Sequence, residues 1–157
     1  MKKILSLLVI ILILFTFNLE VKGKEDNIAI GGEVEYWNEG LTFSGLYLKL
    51  FGNYRVSVLL NNSTSIYMTR FVNRTNITSF DNIQINGVSG SNVMSIPRLN
   101  KSTIHNYNID FGIESVLKAN MLELYARNYV SFDMPFFNGD FKTGTNYIIS
   151  AGLGLTF

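Results

Sequence analysis

The chain has no cysteine, two prolines, one histidine and one tryptophan among its 157 residues. Without a thiol there is no disulfide staple, no thiolate metal site and no cysteine to acylate. A small exported domain of this kind must draw its stability from a packed core or from a bilayer. The lone imidazole, His105, has no second imidazole with which to share a zinc or copper ion. An excess of one charge is missing too. Thirteen basic residues stand against 12 acidic ones, a formal net charge of +1, which gives no electrostatic basis for binding nucleic acid or an anionic surface. A second long apolar run is also absent, which excludes a bundle of membrane-spanning helices.

What is present begins with an export signal. Lys2 and Lys3 precede the apolar run Ile4 to Phe17, interrupted only by Ser6 and Thr16, and Gly23 follows with Val21 two positions before it. This predicts a secretory signal peptide over 1–23, cut between Gly23 and Lys24. A spanning helix takes roughly 20 apolar residues, and this run is shorter. Residues 24–157 are then a single domain with no long repeat and no low-complexity linker. Loss of Lys2, Lys3, Lys22 and Glu20 leaves it within one charge of neutrality.

The remainder alternates with period two, the signature of strands with one apolar and one polar face. Asn27 to Trp37 sets Ile28, Ile30, Val34 and Tyr36 against Ala29, Gly31, Glu33 and Glu35. Leu41 to Phe51 sets Leu46, Leu48 and Leu50 against Gly45, Tyr47 and Lys49, and Gly52-Asn53 reads as a tight turn. Tyr54 to Leu60 is a third strand, with Arg55 and Ser57 on its polar face. Thr64 to Val72 and about Asn76 to Ile85 are expected as the fourth and fifth, with no clear division of faces. In the sixth, Tyr107, Ile109, Phe111 and Ile113 oppose Asn106, Asn108, Asp110 and Glu114. Met121 to Val130 opposes Leu122, Leu124, Ala126 and Val130 to Glu123, Tyr125, Arg127 and Tyr129. The last, Tyr147 to Phe157, carries Tyr147, Ile149, Ala151, Leu153, Leu155 and Phe157 on one face, with Ser150, Gly152 and Gly154 on the other.

Eight tilted strands of about 10 residues each rise about 24 Å, the height of an apolar membrane band. Two long connections are expected at 86–102 and 131–146, on the side away from the chain ends, and they hold Pro97 and Pro135. Short turns are expected at Gly52-Asn53, Asn73-Arg74 and Ser115 to Asn120.

With that architecture, the export signal and an ending of Tyr147 ten positions before a terminal Phe157, the chain resembles the small eight-stranded bacterial outer-membrane barrels, such as the OmpX-like proteins and the transmembrane domain of OmpA. The resemblance implies an all-β, up-and-down antiparallel transmembrane barrel over 24–157, monomeric in outer-membrane lipid. It further implies that Tyr147 and Phe157 belong to the signal read by the barrel-assembly machinery, with periplasmic chaperones as transient partners. The structural rival is a soluble β-sandwich, which would bury its apolar faces against each other.

Under the barrel reading Glu33, Glu35, Lys49, Arg55, Asp110, Glu114, Glu123 and Arg127 point inward. Acids and bases in similar numbers, in a lumen just wide enough for side chains, are expected to pair and plug it. An open passive channel is the alternative, against which stands the balance of charge, since a pore tuned for one ion sign would carry an excess. A lipid-modifying enzyme is the third reading. His105 has Ser102 and Thr103 nearby and Asp81 on strand five, yet His105-Asn-Tyr107 lacks the His-x-Ser spacing of barrel deacylases, so no catalysis is expected. Asp133, Asn138 and Asp140 lack the spacing of a calcium loop, and neither a metal nor a cofactor is expected. Gly31-Gly32, Gly152 and Gly154 read as close packing instead of a phosphate cradle. The last long connection holds Phe132, Met134, Phe136, Phe137 and Phe141, an apolar concentration that marks it as a candidate contact for a host protein or another surface ligand. The expected role is structural or adhesive.

Overall fold

A computed structural model describes residues 28–98, 101–134 and 144–157. Gly23, Lys24 and the signal segment lie outside these residues, as do Pro135, Phe136, Phe137 and Phe141. Eight strands follow one another: β1 (Ala29–Trp37), β2 (Thr42–Leu50), β3 (Tyr54–Asn61), β4 (Ile66–Phe80), β5 (Ile83–Arg98), β6 (Lys101–Ala119), β7 (Leu122–Asp133) and β8 (Thr145–Thr156). Each pairs antiparallel with its sequence neighbours, and β1 closes on β8 from Ala29 opposite Thr156 to Trp37 opposite Ile148. Closure matters physically. It leaves no continuous unpaired edge, so backbone polar groups are satisfied without water.

Period-two alternation sets the two surfaces. Ile30, Leu46, Val58, Ile113, Leu124 and Leu153 are exposed on the outside, while Glu33, Glu35, Lys49, Arg55, Glu114 and Glu123 are buried within. Exposed aromatics gather at the two heights. Tyr36, Tyr67, Phe132 and Tyr147 lie toward the loop end, and Phe51, Phe80 and Phe157 toward the end where the chain terminates. An apolar belt between two aromatic girdles is the exterior a bilayer requires.

The middle of the chain departs from the sequence reading. The expected turn at Asn73-Arg74 lies inside β4, and the hairpin turns instead at Asp81-Asn82. The expected fifth strand, Asn76 to Ile85, therefore straddles a turn. Most of the expected outer loop 86–102 is strand β5, paired on both sides, from Asn86 facing Asn76 and Glu114 to Ser95 facing Tyr67 and His105. Gly87, Ser89, Gly90, Ser91 and Asn92 have loop-like composition, but two neighbouring strands satisfy their backbone groups and override that preference. Pro97 sits in β5 too, not in a loop. It falls where the pairing with β6 shifts register between Ile96 and Arg98, beyond the last β4 partner, so no ladder bond needs its missing N–H. The expected turn Ser115 to Asn120 shrinks to Asn120-Met121.

Glycine is required where tyrosine rings fill the lumen. A Cβ on Gly152 would overlap the Tyr125 ring, and one on Gly154 the Tyr47 hydroxyl. The polar face of β8 is small because two aromatic rings lie on it.

Candidate functional site

The interior is layered. Toward the loop end Trp37, Phe43, Leu59, Met68, Met94, Tyr129 and Ile148 pack into an apolar layer. Below it five carboxylates (Glu33, Glu35, Asp110, Glu114 and Glu123) meet five cations (Lys49, Arg55, Arg70, Arg74 and Arg127), none more than 5% exposed.

Arg55 reaches across the barrel from β3. Its Nη1 donates to Glu114 Oε2 at 2.9 Å and its Nη2 to Glu123 Oε1 at 2.9 Å. Its guanidinium carbon lies 3.8 Å from the centroid of the Tyr125 ring and 4.4 Å from that of Tyr47. Glu114 also accepts from Arg74 Nη1 at 2.9 Å and from Arg127 Nη2 at 3.0 Å. Lys49 donates to Glu123. Nearer the loop end Arg70 donates to Glu35, and its Nε to Asp110 Oδ2 at 3.0 Å. Tyr129 donates to Glu35, Tyr125 to Glu33, and Asn92 Nδ2 to Asp110 Oδ1 at 2.9 Å.

Charges so buried are tolerated only when paired and hydrogen-bonded. Here every cation meets a carboxylate.

The structure brings all eight sequence-assigned inward residues into this network and adds two that the sequence reading missed, Arg70 and Arg74. The signal for them was arithmetic. The assigned set held five carboxylates but only three cations, numbers similar but not equal, and buried carboxylates call for partners. Both missing cations lie on β4, whose inward face reads Met68, Arg70, Val72 and Arg74 and whose outward face includes Thr69 and Asn73. Apolar side chains inside and polar ones outside hid its period.

The remaining candidates separate. Phe132 belongs to β7, opposite Ile109 and Thr145, with its ring 6.5 Å from that of Phe111 on the outer surface. It is part of the girdle and not of a loop. Met134 is half-buried, its N–H donating to Tyr107 O at 2.9 Å. Tyr147 and Phe157 point outward on β8 and just beyond it. His105 Nδ1 lies 2.9 Å from the Oγ of buried Ser95. Asp81 is in the β4–β5 turn at the opposite end of the barrel, so it cannot complete a triad with them. Among the described residues no carboxylate joins the pair.

A closed, up-and-down barrel of eight strands, apolar outside and polar within, defines the class of small transmembrane β-barrels. Among solved structures the chain is similar to the N-terminal β-barrel domain of Pseudomonas aeruginosa OprF. That likeness covers 85% of this chain and 98% of that one, with a TM-score of 0.51 and 10% sequence identity. No family model and no curated protein matches the sequence.

Proposed function

We propose that this protein is an outer-membrane barrel whose interior is closed to ions and whose role is structural or one of surface contact. The observation that carries the reading is the balanced interior, five carboxylates against five cations beneath an apolar layer. A passive channel would need a continuous hydrated path, and a catalyst would need a base oriented toward a reachable nucleophile. The Ser95–His105 pair offers neither a third group nor an exposed hydroxyl.

The membrane assignment rests on the exposed apolar belt and is tested by fractionation. A tagged chain is expected in the outer-membrane fraction and to shift in gel mobility on boiling in SDS. Recovery in the soluble periplasm without a shift would overturn the reading. Closure is tested separately in planar bilayers, where the purified barrel is expected to show no stable conductance steps. Long-lived openings of one size would establish the channel instead.

A further inference from the structure

The loop end opens into a cup of about 600 Å3 that the interior network does not use. Its volume falls in the range of sites for small organic ligands, about 300–1,000 Å3. One side is apolar, where Trp37 and Met94 of the buried apolar layer are joined by the partly buried Ile96. The other is polar, with Asn106, Asn146 and Asp133, and Glu39 stands at the rim.

The polar side offers the amides of Asn106, Asn108 and Asn146 but, among the described residues, no cation. Asn106 is 8% exposed and its Oδ1 accepts no hydrogen bond. Asp133, at the loop end of β7, accepts from the Gly144 N–H at 3.2 Å and, with the Asn108 amide turned as its neighbours require, from Asn108 Nδ2, both of them neutral donors. Glu39 makes no ion pair, and no cation lines the cup among the described residues. This contrasts with the lumen below, where every carboxylate has a cation or a phenol as donor. A half-desolvated carboxylate beside an unmet amide acceptor and an aromatic wall lacks one thing, a donor cation that carries an apolar body.

We propose that the cup binds small organic ammonium compounds, with the aryl or alkyl body against Trp37, Met94 and Ile96 and the ammonium donating to Asp133 and Asn106. A bare metal ion is a poorer occupant, because much of the wall is apolar and offers it no ligand. A neutral hydrophobe would leave the carboxylate desolvated and unpaired.

The site reports on itself, because Trp37 is the only tryptophan in the chain. The folded barrel in maltoside micelles is titrated with 2-phenylethylamine, and with 2-phenylethanol and phenylacetate as neutral and anionic controls, while Trp37 emission is followed. A saturable change with the amine is expected, about tenfold or more weaker with the alcohol and absent with the anion. Asp133→Asn is expected to lose the preference for amine over alcohol while keeping the gel shift on boiling.

Equal response to amine and alcohol would overturn the proposal, as would an unchanged preference in Asp133→Asn or no saturable response at all. If Asp133→Asn fails to fold, Asn106→Leu decides the same question with the three ligands, because it removes the other acceptor of the ammonium: a smaller preference for the amine is expected, and an unchanged one would overturn the proposal. Because the readout is binding in micelles, its failure leaves the membrane and closure readings untouched.

Discussion

Replacing Glu114 by glutamine is expected to destabilise the barrel by about 3–5 kcal/mol, the cost of leaving buried charges uncompensated. Glutamine keeps the size of the side chain and one acceptor oxygen but removes the charge on which Arg55, Arg74 and Arg127 converge. Arg55 would retain Glu123 at 2.9 Å, and Arg74 a longer contact with Glu123 at 3.5 Å. Arg127 would lose the only ion pair it makes among the described residues. The measurement is the urea midpoint of the barrel refolded in detergent.

A second variant separates charge from packing. In Glu114→Gln/Arg127→Met the orphaned cation is gone, so a large part of the lost stability is expected to return. A double variant no more stable than the single one would mean that uncompensated charge is not the cause. A loss below about 1 kcal/mol in the single variant is the signature of a solvent-screened pair. That outcome would argue for a wet, open lumen.

Leu153→Arg tests the exterior. Leu153 lies close to midway between Tyr147 and Phe157 on β8 and is 54% exposed. If that face meets lipid, an arginine near the midplane is expected to cost about 2–4 kcal/mol in unfolding titrations from bilayers. If it meets water, an exposed substitution of this kind stays within about 0.5 kcal/mol. The two environments predict outcomes that do not overlap. Leu153 points away from the lumen, on the opposite side of the barrel wall from the ion network, so the result bears on what the outer face meets.

How much of this was legible in the sequence depended on how cleanly each strand divides its faces. In β1, β2, β3, β7 and β8 outward apolar residues alternate with mostly small, polar or charged inward ones, Trp37, Phe43, Leu59 and Ile148 being the inward apolar exceptions toward the loop end, and the burial follows that division. In β4 and β5 it blurs. Met68 and Val72 face inward, Thr69 outward, and β5 is rich in serine, asparagine and glycine. Those residues are poor strand formers by propensity. They form strands here because β3 and β6 already present partners to which they must pair for the barrel to close. The same blur displaced the β4–β5 turn and hid Arg70 and Arg74.

Period-two alternation over most of the chain was enough to call for antiparallel strands with one apolar and one polar face, because side chains on a pleated strand have only two faces to occupy; their closure into a barrel instead of a sandwich is seen only in the pairing of β1 with β8. Which of the inward charges meet, and which remain unpaired, was decided in three dimensions. Arg55 and Glu123 are far apart in sequence and touch only because closure brings β3 and β7 across one lumen. The cup has the same origin: Trp37, Met94 and Asp133 come from strands β1, β5 and β7. Local chemistry sets which way a side chain points, and only the register of eight strands around one axis sets what it finds there.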